Sequence, residues 1–104
     1  MDTWKTADAV VRRLEAAIPV YDVSEQGCSL YVSLVDGRSF IVDAPFEGDV
    51  RIAPGVRTYE GGLQLLEDLE AELTDAGFDV RRVTCRRTLG VELRVRDDVG
   101  GWAW

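Results

Sequence analysis

The hydrophobic pattern of the chain changes period at Pro19. Before it, Ala7, Val10, Val11, Leu14, Ala17 and Ile18 recur at three- and four-residue steps, which puts them on one stripe of an α-helix. Thr3 or Thr6 is the candidate cap, its hydroxyl accepting a free backbone N–H. Pro19 stops the helix, because the residue before a proline avoids helical angles. The pattern predicts a helix over about residues 4–18.

After Pro19 the apolar positions alternate, as in half-buried strands. Val20 to Glu25 reads as a strand, Gln26-Gly27 as a turn, and Cys28 to Val35 as a second strand with Leu30, Val32 and Leu34 on one face. Asp36-Gly37 has the residue types that accept positive φ at both centres of a two-residue hairpin loop, leading into a third strand, Arg38 to Asp43. The other face of this hairpin carries Tyr31, Val35 and Ile41, a second surface open to being covered. Pro45, Gly48, Pro54 and Gly55 punctuate a loop over 44–57, with a short edge strand expected around Asp49 to Ile52.

A second helix is predicted from Tyr59 to Ala76, capped by Thr58, with Leu63, Leu66, Leu69 and Leu73 facing inward and Gly77 ending it in the left-handed conformation. Its outer face carries Glu60, Glu67, Asp68, Glu70, Glu72 and Asp75. Two strands follow, Phe78 to Arg87 and Val91 to Asp97, joined through Thr88-Leu89-Gly90. Inward parity passes from Phe78 and Val80 to Val83 and Cys85, which predicts a bulge at Arg81-Arg82. With Val91, Leu93 and Val95 inward as well, Arg82, Arg86, Glu92, Arg94 and Arg96 share one outer face.

These elements define an α+β fold in the order α-β-β-β-α-β-β: an antiparallel sheet of four to five strands with two helices on one face. Leu14-Glu15-Ala16 against Leu69-Glu70-Ala71, Tyr21-Asp22-Val23 against Phe78-Asp79-Val80, and Cys28 against Cys85 suggest an αββ pseudo-repeat at offsets of 55 and 57. A duplicated chain of this kind places its helices on one sheet face about an approximate twofold. Two helices leave the opposite face to be exposed, closed by the tail, or used for association.

With 104 residues, 46% hydrophobic and 30% charged, the chain reads as one folded domain over 1–104, with 98–104 as a flexible or docking tail. Acidic and basic residues interrupt Met1 to Ile18, no apolar run is long enough to span a bilayer, and the expected address is the cytoplasm. In that reducing setting Cys28 and Cys85 are read as small core residues rather than a bridge. The net charge of −7, with eleven arginines and one lysine, disfavours nonspecific attraction to nucleic acid or anionic membrane. Six of those arginines fall within residues 81–96, a basic patch on an acidic body.

The absence of histidine removes the usual proton-transfer residue and the commonest metal ligand. A cysteine nucleophile lacks its imidazole, and two cysteines are too few for a structural zinc site. Asp43, Glu47 and Asp49 are carboxylates able in principle to hold a hard cation, without the spacing of a calcium loop. Arg57, Thr58 and Gly61-Gly62 precede a helix start suited to an anion, but lack the phosphate-loop ending. No catalytic residue, cofactor or metal site is assigned.

The function expected is a small, acidic, non-enzymatic protein-binding module, an inhibitor or adaptor such as a virus-encoded antagonist of a host nucleic-acid-handling complex. Its partner is another protein, and its candidate contacts are the acidic helix face from Glu60 to Asp75, the arginine hairpin (Arg82, Arg86, Arg94, Arg96) and the tail tryptophans Trp102 and Trp104. The alternatives are direct nucleic-acid binding through Arg81, Arg82, Arg86, Arg87, Arg94 and Arg96, and a small phosphoryl or nucleotide-dependent enzyme. Homodimerisation through the bare sheet face is compatible with each.

Overall fold

The computed structural model describes residues 3–44, 49–55, 62–85 and 90–96. Helix α1 spans Thr3–Ala17 and is followed by strands β1 (Val20–Gln26), β2 (Ser29–Leu34), β3 (Ser39–Asp43) and β4 (Val50–Pro54). Helix α2 (Gly62–Asp75) leads to β5 (Asp79–Cys85) and β6 (Gly90–Arg96). All six strands form one antiparallel sheet in the order β1-β2-β3-β4-β6-β5. The α+β class and the two helices match the sequence pattern; the sheet has six strands, not four to five. Among the described residues no helix is long and apolar enough to cross a membrane.

The added strand is β4, and it is not at an edge: it pairs with β3 on one side and β6 on the other. Its two prolines mislead, because Pro45 precedes the strand and Pro54 is its last residue. The intervening Val50, Arg51, Ile52 and Ala53 keep their N–H groups for the ladder. The other interior strands read as the alternation implies. Leu30, Val32 and Leu34 on β2, Phe40 and Val42 on β3, Val50 and Ile52 on β4, and Leu93 and Val95 on β6 are buried on one face.

Both helices close that face. Ala7, Val10, Val11 and Leu14 of α1, and Leu65, Leu66, Leu69 and Leu73 of α2, complete a single buried cluster. Leu65 belongs to the stripe although the leucine spacing alone omits it, and the side chain of Leu63 lies outside the described residues. Thr6 is a buried polar residue within α1, not its cap. Cys28 is an exposed free thiol in the β1–β2 turn instead of a core residue, because β2 starts one residue later than the alternation suggests.

Helix α2 ends as its Gly77 implies. Gly77 has φ +96°, its N–H donates to the Thr74 carbonyl (3.0 Å), and the Phe78 N–H donates to the Leu73 carbonyl (3.0 Å). These two bonds form the Schellman closure of a helix C-terminus. The β2–β3 turn differs from expectation. The Gly37 N–H donates to the Leu34 carbonyl and the Leu34 N–H to the Arg38 carbonyl (3.1 and 2.8 Å), so Val35 and Asp36 are the turn centres and Gly37, with φ +93°, adds a third loop residue. Val35 is therefore exposed at the tip and leaves the strand face assigned to it. Asp36 accepts from the Arg38 backbone N–H and Nε (3.0 and 2.8 Å). That backbone bond is the main cause lowering the Asp36 pKa; desolvation opposes it, and the Arg38 guanidinium adds to the lowering. Its stabilising effect is present above the ordinary carboxylate pKa and fades as pH falls through the lowered one.

The register of β5 and β6 pairs every residue from Asp79↔Arg96 to Cys85↔Gly90. No bulge interrupts Arg81-Arg82. Among the described residues the sheet's register shifts between Val20 and Asp22 on β1, where Tyr21 is the extra residue and is 78% exposed. The sheet order itself has the form of a twofold. The strand after each helix, β1 or β5, is an edge; its hairpin partner, β2 or β6, comes next; and β3 and β4 occupy the middle. Val10, Val11 and Leu14 of α1 and Leu65, Leu66 and Leu69 of α2, at the offset of 55, are all buried.

Two substitutions test this packing. Leu69→Ala is expected to lower unfolding free energy in urea by about 2–5 kcal/mol, the range for an emptied buried leucine site. Gly77→Ala should cost about 1–2 kcal/mol through its left-handed backbone alone, with no change in helix content by circular dichroism.

Candidate protein-binding face

An unbroken antiparallel register sends alternate residues to opposite faces, so the buried positions of each strand define what lies on the other side. At one level of that outer face stand Ser29, Asp43, Arg51, Arg94 and Arg81, neighbours across β2, β3, β4, β6 and β5. At the next level stand Ser24, Tyr31, Ile41 and Ala53 on β1 to β4, with Glu92 and Val83 cross-strand partners on β6 and β5. Among the described residues no helix or strand packs over this face. Tyr31 is 40% exposed there, and Ile41, Ala53 and Val83 are half-buried between their neighbours.

Next to the Tyr31–Ile41 pair the small residues Ser33, Ser39 and Gly55 lower the surface into a trough of about 310 Å³. Gly55 packs close to Ser39: its N–H donates to the Ser39 carbonyl (2.8 Å), and a Cβ there would meet the Ser39 hydroxyl. The charged groups of the face are largely engaged with one another. Arg96 pairs with Asp49, Arg94 with Glu92 at 3.6 Å, and the Ser29 hydroxyl donates to Asp43. Arg51 is exposed and makes no ion pair with a described residue.

The arginine hairpin is split between the two faces. Arg94 and Arg96 lie on the outer face as expected, but Arg82 pairs with Leu93 and so points to the helix side. There its guanidinium reaches Glu70 at 3.2 Å and Glu67 at 3.8 Å. Val83, expected inward, takes the outer face. The cause is the position of β5 at the edge: the core covers only Val80 and Phe78 partially, so no burial forces Val83 inward and no bulge is needed. Arg86, the cluster's remaining member, lies outside the described residues, as do Glu60, Trp102, Trp104, Glu47 and the Arg57 helix start.

The acidic face of α2 is also largely internal in its pairing. Arg82 from β5 holds Glu67 and Glu70, Arg13 from α1 approaches Glu72 (3.7 Å), and Arg38 from the β2–β3 turn approaches Asp68 (3.7 Å), to which Gln64 also donates (3.1 Å). Three arginines from three elements thus clip the helix to the domain, and Asp75 alone of the described candidates stands outside this set. The carboxylates proposed for a cation are dispersed: Asp43 accepts from Ser29 and Asp49 pairs with Arg96. Among the described residues no three His, Cys, Asp or Glu side chains converge.

Tyr31, Ile41, Ala53, Arg51 and Arg81 are the members of this face that pattern reading passed over or used only in part. The alternation Val50-Arg51-Ile52 does place Arg51 outward, but nothing local indicates that β4 lies beside β6. Compared with known proteins, the chain matches no family model, no curated sequence and no solved structure.

Because the Arg82 pairs are partly solvated, Arg82→Ala is expected to lower stability by no more than about 1 kcal/mol. Urea denaturation measures this, and the loss should shrink in high salt.

Proposed function

We propose that this chain is a non-enzymatic protein-binding module, an inhibitor or adaptor, that engages its partner through the sheet face opposite its helices. The observation that carries the reading is the Tyr31–Ile41–Ala53 row across the middle of a face on which no described element packs. A solvated antiparallel face is ordinarily polar. Apolar side chains grouped there and rimmed by arginines and carboxylates have the composition of an interaction site. The acidic helix supports the reading less than its charge implies, since most of its described carboxylates answer to arginines of the same chain. Chemistry at the outer-face carboxylates is disfavoured by the same logic, because Asp43, Asp49 and Glu92 already have partners. Nucleic-acid binding by the arginine hairpin loses Arg82, which faces α2.

The test uses Ile41→Lys in affinity capture from the source cells. With the face open, the substitution should change stability by about 1 kcal/mol or less and remove the captured partner. A melting temperature that collapses shows that the chain covers this face itself. A partner retained by the variant places binding elsewhere. Either result overturns the reading.

A further inference from the structure

We infer that the partner for this face is a second copy of the chain, the two sheets stacking face to face about a twofold axis parallel to the strands and passing between β3 and β4. The inference rests on the binding role proposed for the face, and it names the occupant.

On the outer face β1 to β3 carry Asp22 and Asp43 and no described base. The half built from β4, β6 and β5 carries Arg51, Arg81, Arg94 and Arg96 against Glu92, Asp79 and the adjacent Asp49. One half is acidic and the other is rich in guanidinium groups. A twofold parallel to the strands lays each half on the opposite half of the copy. A twofold in the sheet plane but perpendicular to the strands lays acid on acid and arginine on arginine, so charge selects between the two arrangements.

The axis between the two middle strands keeps each residue level and exchanges β3 with β4. Asp43 and Arg51 share one level, and Ile41 and Ala53 share the next. Each Asp43 therefore meets the copy's Arg51, which is exposed, and each Ile41 meets the copy's Ala53. The Ile41–Ala53 contact sits at the middle of β3, where the usual offset of about 30° between packed sheets displaces it least, and the Asp43–Arg51 contact lies one level away, at the end of β3. The flanking Ser24, Ser29, Ser33, Ser39 and Gly55 are small enough for the sheets to approach to about 10 Å.

Six strands about 4.8 Å apart and about five residues long offer roughly 500 Å² in projection. Two such faces together reach the roughly 1,000 Å² at which specific association begins. The net charge of −7 on each copy opposes the encounter, so association is to be measured near 0.15 M salt, where the screening length is about 8 Å.

Sedimentation equilibrium from about 1 µM to 1 mM chain, a range spanning about 4 kcal/mol of binding free energy, is expected to show a monomer–dimer equilibrium. Asp43→Arg and Arg51→Asp, each placing like charges together, should weaken it at least about tenfold, or about 1.4 kcal/mol. The double exchange Asp43→Arg/Arg51→Asp should restore it to within a few-fold. Thermal melting of the double variant checks that it folds, and Ile41→Lys supplies a second disrupting change. A monomer across the whole range overturns the inference, as does a dimer indifferent to Ile41→Lys and to both charge changes. A monomer that still loses a different captured protein on Ile41→Lys sinks the self-association alone; a monomer whose captured protein survives that substitution sinks the binding role as well.

Discussion

The strict two-residue alternation of the central strands is the constraint from which the rest of the structure follows. Phe40, Val42, Val50, Ile52, Leu93 and Val95 are essentially sealed beneath two helices, and moving any of these strands by one residue would trade that apolar set for Ile41, Arg51 or Arg94. Burying a guanidinium without full pairing costs far more than the lost apolar contacts. The register is thus held by the core, and the composition of the outer face is a by-product of it. Tyr31, Ile41, Ala53 and the arginine level owe their adjacency to side chains on the opposite side of the sheet.

Charge is arranged in two different ways around this frame. On the helix side, Arg13, Arg38 and Arg82 reach from separate elements to the carboxylates of α2, so an acidic helix in an acidic protein becomes a surface tied to its own body. Individually these exposed pairs contribute little, but they reduce the repulsion of a crowded acidic stripe and occupy groups that pattern reading offers to a partner. On the strand side the described arginines collect on β4, β6 and β5, where Glu92, Asp79 and Asp49 accompany them, and β1 to β3 carry only the acids Asp22 and Asp43. Edge strands are managed separately: Tyr21 forms the bulge on β1, and consecutive arginines lie on β5, features that discourage edge-to-edge pairing.

The element order places the two hairpins β1–β2 and β5–β6 at opposite ends of the sheet and leaves β3 and β4 as the seam. This gives the short sequence similarity between the helices a structural counterpart, since the matched apolar positions Val10, Val11 and Leu14 and Leu65, Leu66 and Leu69 serve the same core. It also explains why the outer face has a middle suited to symmetry. The strands flanking the seam carry the Asp43–Arg51 and Ile41–Ala53 pairs at matched levels.

The amino-acid sequence by itself determined both helices, the positions of β1, β2, β3, β5 and β6 with small shifts, the left-handed end of α2 at Gly77 and the inward parity of β2 and β6. Each of these is a local matter of period, proline exclusion or glycine backbone freedom, and neighbouring residues suffice to specify it. The tertiary structure alone decided that β4 is central, that β5 runs without a bulge, and that Arg82 and Arg94 face opposite ways. Those outcomes depend on which strand lies beside which, and long-range pairing is chosen by the burial of the whole sheet, which no short window of sequence contains.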